Sequence, residues 1–294
     1  MTVSIAFAAA NSVILRFFKN RSFKTPGDVF FFNGGVSLLW TFILCLRCIF
    51  TGFEISPLVL LFGAIYALIL FLFLHSKTEA LSSGPVALTT LIGSAAFVVP
   101  TLYGVFIMNE KIDLLQIIGI ILISFSLFLC INPKNTSEKP KTKWFLYCFL
   151  FFLVGGALGI FYKIFGASQV SSEVDSMMLA ASAISAVFFF SFGYLLNRSR
   201  KCPPPKIYKS SLLFLISSAV AGCVYIRLNV SLSAVIPSAV FFPVSNGSLV
   251  LISTAAGYLF FKEKLKTVQT LGLLLGILAI AITGCSDILL GIFS

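Results

Sequence analysis

Ten long apolar stretches, separated by short polar ones, run along the chain at about 2–18, 29–50, 57–75, 84–108, 112–131, 144–166, 174–196, 211–230, 237–261 and 266–289. Each has roughly the 20 residues that carry an α-helix across a hydrocarbon layer. Leu, Ile, Val, Phe and Ala fill them, with scattered Gly and Ser. A helix that is apolar all round is buried in a membrane or a large core. A lipid-facing open sheet is excluded because its edge groups find no partner. A β-barrel would show alternating runs about half as long. The pattern predicts an all-α membrane protein with ten transmembrane helices.

Composition turns that prediction into an exclusion. Of 294 residues, 59% are hydrophobic and 11% charged, with a mean hydropathy of +1.05. Soluble domains carry about 25% charged residues. A soluble enzyme, a nucleic-acid-binding domain and a disordered chain are ruled out, and the lipid bilayer is the solvent that fits. The net charge of +11 lies between the apolar runs, so it reads as a topology signal. The apolar character begins at Thr2 with no basic segment ahead of it, so the first run reads as a retained helix and not a cleaved signal. Most of the seven cysteines stand inside apolar runs, and Cys45-Leu46-Arg47-Cys48 has redox spacing without a second pair. They are expected to be buried and inert. His75, the one histidine, builds no metal site alone.

The chain repeats itself. Near the end of the fourth run stands Tyr103-Gly104-Val105-Phe106-Ile107-Met108-Asn109-Glu110-Lys111-Ile112. Near the end of the ninth stands Ala256-Gly257-Tyr258-Leu259-Phe260-Phe261-Lys262-Glu263-Lys264-Leu265. Glu110 and Glu263 differ by 153, and at that offset Gly104 meets Gly257, Gln116 meets Gln269 and Gly119 meets Gly272. At offset 147, Ala10 meets Ala157, Arg16 meets Lys163 and Asp28 meets Asp175. The expected organisation is a five-helix repeat over 1–131, a basic linker over 132–143 and a second repeat over 144–294. Five is odd, so the halves insert in opposite orientations, and an inverted repeat encloses a site near the midplane. That points to transport.

A helix, a Glu-Lys at the turn, then a Gln and a Gly in the next helix: this ending, present in both halves, resembles the drug/metabolite transporter superfamily, in particular its EamA-type ten-helix branch. The resemblance spans nearly the whole chain and is closest over 84–129 and 238–282. It implies two inverted five-helix repeats that move small metabolites. Ala8-Ala9-Ala10-Asn11, with Arg16 beyond, stands where the family often has Trp-Gly-Ser-Asn ahead of a Lys. Asn33 stands where an Arg is frequent. These departures bear on substrate identity.

Polar groups inside a membrane are default functional candidates. Asn11 and Asn33 either bond a neighbouring helix or face the cavity. Tyr66 and Tyr225 offer an aromatic wall with a hydroxyl tip, or anchor at the interface. Arg227 either snorkels to headgroups or presents a donor fork to an acidic group. Since no carboxylate is near it in sequence, the substrate is a candidate partner. Ser245 and Asn246 follow Pro243, which frees a backbone carbonyl; such breaks border transporter sites. These seven are the expected substrate-binding residues, and the site is expected between helices 1, 3, 6, 8 and 9. Arg16 and Lys163 read as interface markers or cavity groups. Glu110 and Glu263 read as turn or capping groups. Thr89-Thr90, Ser248, Gly155-x-x-x-Gly159 and Gly272-x-x-x-Gly276 read as helix contacts.

No Asp or Glu lies well inside a run, which disfavours a proton-coupled cation pump. No phosphate-binding loop is present. The expected function is secondary transport of a small neutral, zwitterionic or anionic metabolite, without catalysis, cofactor, metal or nucleic acid. The expected setting is a bacterial plasma membrane, as a monomer or homodimer. A flippase for a lipid-linked carrier and a membrane-embedded enzyme are the alternatives.

Overall fold

The computed structural model describes residues 1–11, 25–51, 56–84, 86–130, 142–201, 209–261 and 266–285. Among these residues the chain is helical: α1 (Thr2–Asn11), α2 (Pro26–Thr51), α3 (Pro57–Ser83), α4 (Val86–Ala95), α5 (Val98–Phe106), α6 (Leu114–Cys130), α7 (Thr142–Gly166), α8 (Val174–Ser199), α9 (Lys209–Val235), α10 (Ser238–Phe261) and α11 (Thr267–Gly284). Eight spans within them are long and apolar enough to cross a membrane, and α1 and α6 are shorter apolar helices. The protein is an all-α, multi-pass membrane protein.

Two of the apolar runs differ from their expected form. The fourth is two helices, α4 and α5, joined by a turn at Ala96 and Phe97. Pro100, near the start of α5, has no amide to offer Ala96, four residues back. The Ala96 carbonyl instead takes the Val99 amide at 3.2 Å. The third run continues as helix past residue 75 to Ser83, through Lys77 and Glu79. Thr78 and Ser83 return their hydroxyls to carbonyls one turn back, at 2.8 and 2.6 Å, so polar residues ride on the helix there.

The chain forms two compact units. The first contains residues 1–72 and 164–231, the second 73–163 and 232–294. They interleave the two sequence halves.

In the first unit α2 packs along α8. Thr41 meets Ser182 at 2.9 Å, Thr25 meets Asn197 at 3.3 Å, and Gly34 lies against Phe190. Residue numbers rise on one helix as they fall on the other, so the pair is antiparallel. Phe30, Phe71, Phe189 and Phe192 stack edge-on or tilted at 4.9–6.4 Å between centroids. These off-face arrangements suit aromatic quadrupoles.

In the second unit α6 packs along α11, also antiparallel, through small residues. Gly119 sits against Thr283, Gly272 against Leu129 and Cys130, and Gly276 against Ser126 and Leu251. The Ser126 hydroxyl reaches the Gly272 carbonyl at 2.7 Å. Gln116 and Gln269 are each the third residue of their helix. Each side-chain oxygen accepts the amide of the residue before the helix, Asp113 at 3.2 Å and Lys266 at 3.0 Å. The shared Gln of the two halves is thus half of a capping box. Gly155, Gly156 and Gly159 of α7 seat Ala96, Val99 and Pro100 at the α4–α5 break. Trp144 donates to Thr89, which is fully buried, at 2.9 Å.

Candidate functional site

Five of the seven expected binding residues lie in the first unit. Asn11, half-buried on α1, accepts a hydrogen bond from Ser218 of α9 at 2.6 Å. Seven residues back, Ser4 takes the Asn229 side chain at 3.0 Å. The α1 and α9 helices are therefore tied by two polar bonds, and Gly222 between them leaves room for Trp40, whose indole N–H reaches the Ala219 carbonyl at 2.6 Å. Asn33 turns its amide onto the Val29 carbonyl of its own helix at 2.7 Å. Tyr66 is buried on α3, and Tyr225 is half-buried on α9.

Arg227 departs from the sequence reading. Its Nε lies 2.7 Å and its Nη2 3.4 Å from the two oxygens of Asp175, in the first turn of α8. Arg47 of α2 reaches the same carboxylate at 2.9 Å. A fixed carboxylate thus stands beside Arg227, where the sequence reading offered the substrate as its anion. The two arginines and Asp175 clamp α2, α8 and α9; the side chains of Arg47, Arg227 and Asp175 are 44%, 38% and 22% exposed. Half-exposed pairs are worth about 0–1 kcal/mol each. Removing the shared anion costs more, because it leaves two cations together. Asp175→Ala should lower stability by about 1–2 kcal/mol. Arg227→Gln, which leaves Arg47 on Asp175, should cost less. Thermal unfolding in detergent checks this; equal losses would mean that the carboxylate is not shared.

Ser245 and Asn246 lie in the second unit, half-buried on α10. Asn246 donates to the Phe242 carbonyl at 3.0 Å. The helix continues through Pro243 without a break.

The second unit also holds an ion pair. Lys163, in the last turn of α7, is 4% exposed. Its ammonium donates to Glu110 Oε1 at 2.7 Å and to the Ile236 carbonyl at 2.9 Å. The other Glu110 oxygen accepts the Ser238 amide at 2.6 Å. Glu110 is therefore a capping group, but of α10, and its charge suits that positive helix end. Burial acts to raise its carboxyl pKa. The bonds from Lys163 and the Ser238 amide outweigh that and hold it below the ordinary value. Gly104 makes the arrangement possible: a Cβ there would collide with Ser238 and stand 2.7 Å from Glu110 Oε2. Arg16 and Glu263, at the equivalent positions of the repeat, lie outside the described residues.

Sequence reasoning missed Ser218, Asn229, Arg47 and Asp175 as partners. Asp175 did carry a signal, since it matches Asp28 in the repeat.

No family model and no curated protein matches the chain. Among solved structures, one crystal structure of a protein superposes with a TM-score of 0.74 at 12% sequence identity, over 96% of this chain and 95% of that one. At such identity the likeness establishes a shared fold alone.

Proposed function

We propose that this protein is a secondary transporter that moves a small polar metabolite by alternating access, built as two inverted five-helix repeats of the EamA type. The observation that carries this is the α6–α11 pair. Adding 153 to 119 and 130 gives 272 and 283. Gly119 rests on Thr283 and Gly272 on Cys130, so exchanging the halves reproduces the contact. An antiparallel pair with that property has a two-fold axis across the helices, as an inverted repeat in a membrane requires. The other pairs agree. Second-segment α2 packs on seventh-segment α8. First-segment α1 bonds eighth-segment α9, and third-segment α3 meets sixth-segment α7 through Phe73–Phe151 and His75–Tyr147. The α4–α5 break adds a discontinuous helix of the kind that borders transporter sites. Asn11, Tyr66, Tyr225, Ser245 and Asn246 are the polar groups assigned to substrate. Arg227 no longer argues for an acidic one.

Purified protein in liposomes should take up at least one component of a labelled pool of small polar metabolites, saturably and without ATP. No uptake from a broad pool, together with scrambling of a lipid-linked sugar, would transfer the assignment to the flippase alternative.

Charge sets the orientation. With both termini outside, seventeen of the 21 basic residues fall on the inner side, and only Arg47, Lys111, Lys163 and Arg227 on the outer. Three of those four are paired with Asp175 or Glu110. A C-terminal reporter active only in the cytoplasm should stay dark. The sequons at Asn135 and Asn197 fall inside and should carry no sugar in a eukaryotic host. Asn197 is also buried, accepting from Thr25, which blocks it in the folded protein; Asn135 lies outside the described residues. A glycosidase-sensitive mass shift lost in Asn135→Gln would reverse the orientation.

A further inference from the structure

The chain passes between its two compact units at three places: after Leu72, after Lys163 and after Ser231. Each crossing lies within a helix, α3, α7 or α9. Lys163 is the last residue before the second crossing, and Ile236 and Ser238 follow shortly after the third. One carboxylate fastens all three residues inside the second unit. Glu110 holds Lys163 directly and Ser238 by its amide, and Lys163 in turn holds the Ile236 carbonyl.

The turn that presents Glu110 is built for one position. Asn109 takes φ 54°, in the left-handed region that Asn tolerates better than most residues. The Glu110 amide then returns to the Gly104 carbonyl at 3.0 Å. Yet the closed arrangement is not fully satisfied. The Ser238 hydroxyl is buried beside the Glu110 carboxylate without a well-directed hydrogen bond. Opening would hydrate that hydroxyl together with the ammonium and the carboxylate, and rehydration offsets the lost ion pair. A buried pair beside a poorly bonded hydroxyl therefore gives up less on opening than a fully satisfied one.

We propose that Glu110 and Lys163 form a charge latch, closed in this structure, which has to open in each transport cycle. The proposal rests on the transport reading for its role and on the second unit's geometry for its existence, and two measurements separate these. The first needs no transport. In protein with its native cysteines replaced, Ser238→Cys should react slowly with a maleimide in liposomes. Adding Glu110→Gln should speed that reaction at least tenfold while the protein stays monodisperse. Equal rates would overturn the latch.

The second measurement uses the cycle. In the same background, Glu110→Cys with Lys163→Cys, bridged by a cleavable bifunctional thiol reagent, should lose more than nine-tenths of its uptake and regain it on cleavage. Uptake undiminished by the bridge would overturn the proposal. Should the unbridged protein and the native chain both move nothing from the metabolite pool, the transport reading falls. The labelling rate then decides whether the latch exists. If Glu110→Gln does not fold, the bridging result decides instead.

Discussion

Glu110→Ala is expected to be the most damaging single substitution at a charged residue. Removing one member of a buried pair costs about 3–5 kcal/mol, because the other charge stays buried without compensation. Lys163 meets that condition, being 4% exposed with Glu110 as its ion-pair partner. The expected loss is about 3 kcal/mol, near the low end, since Glu110, in the connection between α5 and α6, is itself partly exposed. Glu110→Gln keeps an oxygen for the Ser238 amide and should cost less. Lys163→Met should also cost less, because the carboxylate it strands is more exposed and retains that amide. Glu110→Leu with Lys163→Met should recover much of the loss, since a buried pair exchanged whole for apolar groups is close to neutral. Exchanging the charges, Glu110→Lys with Lys163→Glu, should not recover it, because an ammonium at 110 cannot accept the Ser238 amide.

The pH dependence has a definite sign. The folded-state pKa of Glu110 lies below its ordinary 4.5, so its stabilisation is fully present above that value. It is lost as the pH falls through the depressed folded value. Unfolding temperatures of the native chain and Glu110→Gln should differ by a constant amount between pH 6 and 8, and converge only in acid. A gap that closed between pH 6 and 8 would contradict the pairing.

Gly272→Val is the second substitution expected to have a large effect. A Cβ at 272 would lie 2.8 Å from the Leu129 Cβ and 3.0 Å from both the Cys130 amide nitrogen and its sulfur. Two of those three atoms sit on or next to the backbone of α6, so no flexible chain end can give way. Overpacking at such a place costs about 1–3 kcal/mol, and more when a helix has to move. Helix association inside lipid depends on close approach and not on a hydrophobic driving force, so the loss should reach or exceed the top of that range. Gly119→Val, against Thr283 and Ala279, should behave alike. Gly284 has nothing within 4 Å of its Cβ position, and Gly284→Ala should change stability by less than about 0.5 kcal/mol. Detergent melting curves of the three variants test the contrast. A harmless Gly272→Val would remove the close α6–α11 contact on which the repeat argument stands.

How legible each feature was depends on how local its cause is. The apolar run at 174–196 became α8 at 174–199, and 29–50 became α2 at 26–51, because hydropathy and helix share one short-range cause. Hydropathy ended the third run at 75, yet α3 reaches Ser83, because a helix needs backbone bonds and tolerates Lys77 and Glu79 where the lipid ends. Proline showed the limit of local reading. Pro243 drew attention but leaves α10 continuous, whereas Pro100 marks the break between α4 and α5. The partners of the polar side chains were the least legible. Arg227 and Asp175 are 52 residues apart and Asn229 and Ser4 are 225 apart. Residue type announces that a buried polar group needs a partner; only the packed helices supply its identity.

The interleaving of the two units has a consequence for how the protein is made. Helix α2 finishes at Thr51, but its antiparallel partner α8 begins at Val174, 123 residues later. At the usual 5–20 residues per second of translation, α2 waits about 6–25 s in the membrane before its mate emerges. Through that interval Arg47 has no Asp175 to meet, and Thr41 no Ser182. Helix α6 waits in the same way for α11, the last described helix. No prefix that stops before Ser231 contains a finished unit, so a ribosome that stalls midway releases a product with unpaired polar groups in lipid, the kind of intermediate that membrane quality control recognises.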